Sequence, residues 1–456
     1  MDTTINRSQQ GRQKHPPGLY LLFFTELWER FSYYGMRALL TLYLTTALVS
    51  GGLGFEKGAA MSIYGFFTGA VYFTPTLGGY LSDRYLGRRL AITIGGVTMA
   101  LGNLLLFAWQ STAGLYLGLA LLIIGNGFFK PTISTLVGEL YPAEDKRRDA
   151  AFTIFYMGIN IGGFLAPLVC GFLAEEYFRT VADGVVTYGF RYGFLAAALG
   201  MVIGQIAFNL LGDRYLGEIG KKPIGKSEAP EMQEAANRPL TAKEKQRTAV
   251  IVILACFVVF FWAGFEQAGS SLTLYTDLLV DRTIGDWEVP TSWFQSLNPL
   301  FIVTLAPIIS ILWVKLANRK QGDWSIPTKM GLGMILLGLG YMVLLLGILQ
   351  TGNGDAAAKT SMLIIILTYF MHTLGELFLS PVGLSMVSKI APVKLASLLM
   401  GIWLASSGVA NVLAGQLAAY TQSLGYLEVF GLIGLMAIIL GAVLLLVSRK
   451  LVQMME

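Results

Sequence analysis

The sequence predicts an all-α integral membrane protein, with twelve membrane-spanning helices arranged as two six-helix bundles. Three observations predict it. Hydrophobic residues make up 54% of the 456 residues and charged residues only 13%, with a mean hydropathy of +0.61. That is more apolar surface than a soluble chain of this length needs. Hydropathy marks twelve stretches long enough to span a hydrocarbon core, at about 19–49, 58–82, 89–110, 113–138, 150–174, 189–212, 248–280, 293–317, 327–350, 360–388, 395–420 and 424–448. Finally, nearly all Lys and Arg outside the spans lie in the N-terminal tail, in alternate loops (82–88, 139–149, 213–247, 318–326, 389–394) and at the C-terminal end. The other loops hold only Lys57, Arg179, Arg282 and Lys359, with Arg191 near a helix end. The positive-inside rule therefore puts both termini in the cytoplasm, as an even span count requires.

The first span carries the densest chemistry. Thr25–Arg37 reads Thr-Glu-Leu-Trp-Glu-Arg-Phe-Ser-Tyr-Tyr-Gly-Met-Arg. On a helix, Glu26, Glu29, Arg30, Tyr33, Tyr34 and Arg37 fall within an arc of roughly 140° and form a polar ladder about 16 Å long. Charge inside a bilayer is costly, so this face lines a water-filled path or a site. The span is longer than a bilayer needs, so it is expected to tilt, to kink near Gly35 or to protrude. The polar N-terminal tail and the long first apolar run do not read as a cleavable signal peptide.

The second span ends in Gly78-Gly79-Tyr80-Leu81-Ser82-Asp83-Arg84-Tyr85-Leu86-Gly87-Arg88-Arg89. The spaced glycines allow a tight turn and close helix approach. Asp83 can cap a helix or pair with an arginine across the interface of the halves, holding the cytoplasmic side closed. This pattern resembles the loop motif of the major facilitator superfamily, which places Asp83 and Arg84 at a gate. The fourth span holds Lys130 before a helix-breaking Pro131, an expensive position for a lysine. The fifth span opens with Phe155-Tyr156-Met157-Gly158-Ile159-Asn160, whose Asn160 can hydrogen-bond a substrate.

Residues 213–247 are polar and rich in lysine and read as a cytoplasmic linker between 1–212 and 248–456, with a surface helix near Thr241–Arg247. Two halves of six spans suggest a transporter pseudo-dimer. In the second half, Glu266 lies in the seventh span, the eighth opens with Ser292-Trp293-Phe294-Gln295-Ser296-Leu297-Asn298-Pro299, the tenth holds Glu376, and the eleventh holds Trp403, Ser406 and Ser407. The embedded charges thus fall on spans 1, 4, 7 and 10. That period is what four three-helix repeats around a central cavity produce. The first half is net positive at these positions and the second net negative, which suits a zwitterion with separated ends. The surplus carboxylates suit proton binding.

Other chemistries lack residues. Cys170 and Cys256 lie inside spans and read as packing residues. Of the two histidines, His15 is in the tail and His372 lies one turn before Glu376, so a metal site is not expected. The net charge of +5 follows from the positive-inside pattern and does not indicate nucleic-acid binding.

Five motifs together resemble the proton-dependent oligopeptide transporters (POT/PTR) of the major facilitator superfamily: E-x-x-E-R-F-S-Y-Y-G-M-R at 26–37, F-Y-x-x-I-N-x-G at 155–162, F-E-Q at 265–267, S-W-F-Q-x-x-N-P at 292–299 and G-E-x-x-x-S-P-x-G at 375–383. The resemblance covers nearly the whole chain. It implies import of di- and tripeptides across the inner (plasma) membrane, driven by the proton gradient with no other cofactor, by a protein that needs no partner subunit. It implies proton coupling through Glu26, Glu29, Arg30 and Glu266, a gate pair Arg37–Glu266, and Lys130 and Glu376 at opposite ends of the peptide. Arg30, Tyr33, Tyr34, Arg37, Tyr72, Asn160, Asn298, Trp403 and Ser407 are then pocket residues. Departures are Thr132, where asparagine is common, a linker too short for the two extra helices of many bacterial members, and no histidine on the second span. A same-fold carrier of nitrate or another small anion is the alternative; a purely anionic substrate has no use for Glu376.

Overall fold

The computed structural model describes residues 14–142, 145, 147–223, 239–319, 322–352, 358–392 and 395–455. Among these, thirteen α-helices carry the fold: α1 Pro17–Thr45, α2 Lys57–Leu81, α3 Arg88–Ala108, α4 Thr112–Glu139, α5 Arg147–Gly171, α6 Phe190–Leu216, α7 Ala242–Phe265, α8 Ser271–Leu279, α9 Leu297–Ala317, α10 Ile326–Gln350, α11 Met362–Ile390, α12 Ala396–Leu424 and α13 Tyr426–Met455. The seventh span is α7 and α8 together, interrupted by a tight 3₁₀ turn at Glu266–Gly269. Ten segments are long and apolar enough to cross a membrane. α1 and α2 fall short for identifiable reasons. Every 18 consecutive residues of α1 include at least three of Glu26, Glu29, Arg30 and Arg37, and α2 is diluted by Gly, Thr and Tyr.

The buried apolar side chains form two large clusters. One is built almost wholly from residues 19–216, the other from residues 250–451. Their separate packing follows from each half covering its own apolar faces. Three pairs of very short strands occur at loops: the hairpin β1 Thr180–Ala182 with β2 Val185–Thr187, the parallel pair β3 Val280–Asp281 with β6 Thr360–Ser361, and the hairpin β4 Thr283–Ile284 with β5 Trp287–Glu288. Asp183 and Gly184, both at positive φ, supply the turn of the first hairpin.

Several expectations change. α1 runs unbroken through Gly35; that glycine instead admits Cys170, whose Sγ lies 2.5 Å from where a Cβ would stand. Pro131 does not end α4. The Thr132 hydroxyl donates to Phe128 O at 2.6 Å and the Thr135 hydroxyl to Pro131 O at 2.8 Å. Thr241 is not on a separate surface helix: it is the N-cap of α7, in a capping box with Glu244. α6 reaches Leu216, and the chain after it folds back on Arg89, whose N–H donates to Gly220 O at 2.9 Å. The rest of the linker, residues 224–238, lies outside the described residues. Cys170 and Cys256 are free thiols, the first buried.

Glycine sets the closest helix approach. A Cβ on Gly78 would stand 2.1 Å from the Gly127 carbonyl oxygen, where α2 crosses α4. Gly78→Val is therefore expected to force the two helices apart at a cost of about 1–3 kcal/mol, read as a lowered midpoint of thermal unfolding in detergent. Gly184→Val, with nothing within 4 Å, has no clash and tests only the backbone cost of a positive φ.

Among pairs of described residues, the hydrogen bonds and ion pairs joining the two halves all lie toward the side of the loops after α1 and α5. Thr41 Oγ1 donates to Gly269 O at 2.6 Å, Gln422 accepts from Gly58 N at 2.7 Å, Trp293 Nε1 donates to Leu168 O at 3.0 Å and Ser296 Oγ to Phe164 O at 2.8 Å. α2 and α12 come closest there at Gly65 against Gly415. At the other end, Asp83 pairs with Arg88 at 3.0 Å, and Arg88 also pairs with Glu139. Asp83 thus bonds within its own half, not across the interface, and Arg84 stacks against Tyr80 and Tyr85. Among the described residues, the halves are bridged on one side and no hydrogen bond or ion pair joins them on the side of the termini.

Candidate substrate cavity

The cavity between the halves has a volume of about 540 Å³, within the range of small-molecule sites. Its wall includes Arg37, Lys130, Glu266 and Glu376, one ionisable side chain each from spans 1, 4, 7 and 10. The period of three in the sequence therefore becomes a ring in space. Tyr34, Tyr72, Asn160, Asn298, Trp403 and Ser407 also line it.

Two of the four charges neutralise each other. Arg37 Nη2 bonds Glu266, while its Nε donates to Tyr64 OH at 2.7 Å. Glu266 stands where α7 breaks into its 3₁₀ turn. The aromatic rings of Tyr34 and Tyr64 lie 5.8 and 6.0 Å from the guanidinium carbon and wrap it in polarisable faces.

The other two charges stay apart. Lys130 has no carboxylate partner among the described residues; its ammonium sits over the Tyr72 ring at 3.9 Å. Glu376 accepts from Asn298 Nδ2 at 2.7 Å, and Asn298 also donates to Thr373 Oγ1 at 3.1 Å. The asparagine holds the carboxylate in place without cancelling its charge. The cavity thus offers one unneutralised cation from the first half and one unneutralised carboxylate from the second.

The remaining members of the α1 ladder lie behind this wall. Arg30 binds both carboxylates: Nη2 donates to Glu29 Oε1 at 2.7 Å, Nε bonds the other Glu29 oxygen, and Nε lies 3.2 Å from Glu26 Oε1. Asn126, one turn before Lys130, adds a contact to Glu29 at 3.3 Å. Glu26 Oε2 is buried without a partner. Arg30 and Tyr33, expected in the pocket, are buried and are not among its lining residues; Tyr33 lies under Arg30 with its ring 5.5 Å from the guanidinium. Asn160, expected to meet substrate, lines the cavity and donates one of its two amide N–H groups to Tyr156 O at 3.0 Å. His372 is buried against Tyr341 behind the wall.

Sequence reasoning did not single out Ser134, Tyr156, Trp262 and Tyr369, all of which line the cavity. Three carried a signal: Ser134 follows Lys130 by one turn, Tyr156 precedes Asn160 by one turn, and Trp262 precedes Glu266 by one turn, so each shares its partner's face. Tyr64, the partner of Arg37, carried none.

The POT family model, PTR2, matches residues 89–227 and 231–433. A di-/tripeptide transporter of Lactococcus lactis subsp. cremoris is 31% identical, over 99% of each chain. An uncharacterized transporter of Bacillus subtilis, YclF, is 37% identical over 98% of this chain and 96% of its own. Among solved structures, a peptide transporter POT variant in complex with alafosfalin superposes with a TM-score of 0.87 at 33% identity, over 98% of this chain and 97% of that one. A POT family transporter in complex with 5-aminolevulinic acid does so with 0.86 at 30% identity, over 97% and 98%. With its membrane-crossing helices and its ring of four charges, the chain belongs to the POT family.

Proposed function

We propose that this protein is a proton-coupled symporter that imports di- and tripeptides across the inner membrane by alternating access of two six-helix bundles. One observation carries the reading: the unneutralised Lys130 and the unneutralised Glu376 face one cavity from opposite halves. A peptide zwitterion has one charge for each, and binding it draws the halves together. The names of its relatives point the same way. A bare anion would match Lys130 and meet repulsion at Glu376.

With both termini cytoplasmic, the bridged side is the outer one and the cavity faces the cytoplasm. The Arg37–Glu266 pair is then the outer gate, Glu26, Glu29 and Arg30 couple the proton, and the Asp83–Arg88–Glu139 cluster holds the inner end of the first bundle. Driving force comes from the proton gradient, with no other cofactor, and the monomer holds the whole path.

Uptake of a labelled dipeptide into proteoliposomes is expected to exceed equilibrium only with an inward proton gradient. Nitrate uptake with no dipeptide uptake would replace the reading with the anion carrier. Glu266→Gln, which removes the charge that holds Arg37, is expected to weaken outer closure and lower gradient-driven dipeptide uptake. Unchanged uptake in Glu266→Gln and in Arg37→Ala would place the moving gate elsewhere.

A further inference from the structure

We propose that Glu175 is a second outer latch, a positioning residue that sets how strongly the two halves close on that side, independently of the Arg37–Glu266 pair. The inference rests on the alternating-access reading above.

Glu175 follows α5 in a wide turn spanning Phe172–Tyr177. Wide turns of this kind recur at functional positions in helices. Its side chain is 7% exposed. Oε2 accepts the Thr291 N–H at 2.7 Å and Oε1 the Ser292 N–H at 3.1 Å. Both N–H groups belong to the turn Thr291–Ser296 that leads into α9, in the other half. Among the described residues no cation forms an ion pair with Glu175, and these two N–H groups are its hydrogen-bond donors. Removing the acceptor would leave both buried N–H groups unpaired.

The surroundings fix the geometry from both sides. Trp293 Nε1 and Ser296 Oγ bond the α5 carbonyls of Leu168 and Phe164. A Cβ on Gly171 would stand 1.9 Å from Ser292 Oγ, so only glycine lets the turn come this near. Thr291 is held in turn by its hydroxyl bond to Asp277 at 2.8 Å, and Arg282 pairs with Asp277 and with Glu288 at 2.9 Å. Glu175 and its two donors make no bond to Arg37 or Glu266; the turn reaches α1 through Gln295, whose Nε2 lies 3.5 Å from Ala38 O. When the outer side opens, Glu175 and both N–H groups must exchange each other for water. The carboxylate therefore contributes to the closed state alone, which is the condition for shifting a two-state equilibrium.

The experiment uses the full chain with Cys170→Ala and Cys256→Ser, spin-labelled at Val49→Cys and Ile284→Cys. These sites are 73% and 56% exposed, on outer loops of opposite halves. Pulsed electron paramagnetic resonance measures their separation in liposomes without substrate. The parent is expected to show mainly the short distance. Glu175→Leu, which fills the same space with no acceptor, is expected to raise the ratio of long to short distances about tenfold or more. Glu175→Gln, which keeps one acceptor oxygen, should fall between. Thr291→Pro leaves Glu175 in place and removes one donor at the first position of the turn, and Thr291→Val, which removes only the hydroxyl bond to Asp277, is its control; a larger shift in Thr291→Pro than in Thr291→Val is expected and decides the matter if Glu175→Leu does not fold. Parent-like distances in Thr291→Pro and in every folded Glu175 variant would overturn the latch. The distances are read without substrate, so a failure of peptide uptake would count against the proposed function and leave this result intact.

Discussion

Lys130→Ala is expected to abolish peptide exchange, including downhill exchange that needs no proton gradient. Among the described residues, Lys130 is the cation of the cavity wall that no carboxylate neutralises, and its ammonium sits over the Tyr72 ring. A substrate carboxylate that replaces water there gains a desolvated ion pair. Removing one partner of such a pair costs about 2–5 kcal/mol, or roughly 30- to several-thousand-fold in affinity. Lys130→Arg keeps the charge and can still stack on Tyr72, but it replaces a compact ammonium by a longer planar fork, so partial activity is expected. Counterflow of a labelled dipeptide in liposomes is the measurement, with circular dichroism to show that the variant folds. Normal counterflow in Lys130→Ala would remove Lys130 from the site. Glu376→Gln is the complementary test: it should weaken peptides with a free amino terminus and spare those whose amine is acetylated. Equal loss for both would mean that Glu376 does not read the amine.

Glu29→Gln is expected to retain exchange while losing accumulation driven by a pH gradient. Glu26, Glu29 and Arg30 bring two carboxylates and one guanidinium into a buried site, so one proton balances the charge. Arg30 serves both carboxylates but puts its two-pronged contact on Glu29, which is 0% exposed and has Asn126 as a further partner. If substrate or helix movement draws Arg30 away, Glu29 is left charged and enclosed, and a proton resolves it. Proton binding and substrate binding are then coupled and the coupling is reciprocal. Glu29→Gln fixes the protonated form. Exchange and driven uptake are compared in the same liposomes. Loss of both would make Glu29 structural. Retention of both would move the proton site to Glu26, whose unpartnered Oε2 makes it the next to replace, or to Glu266.

Much of the architecture was legible because membrane insertion leaves a coarse record. A lipid-facing helix must be apolar along its length, and a charge within it must face something wet or paired. Glu26, Glu29, Arg30 and Arg37 could therefore be put on one face of α1 by counting residues, and Lys130, Glu266 and Glu376 on the lining helices by their period. What counting does not provide is distance between helices. It placed all six ladder residues beside one path, whereas the packing of α1 against α5 and α6 turns Arg37 and Tyr34 into the cavity and leaves Arg30 and Tyr33 behind its wall.

The sequence by itself determined the membrane class, the twelve apolar stretches and the helices that carry charge. These follow from local composition and helical period, which need no knowledge of neighbours. Only the tertiary structure decided which charges neutralise each other. It paired Arg37 with Glu266 across the halves, gave Arg88 to Asp83 within one half, left Lys130 and Glu376 unneutralised, and brought Glu175 to the N–H groups of Thr291 and Ser292. Partners separated by more than a hundred residues meet because glycines such as Gly65, Gly171 and Gly415 let backbones approach. A sequence records that a glycine is present; which helix fills the space it leaves is settled by the packing of the whole chain.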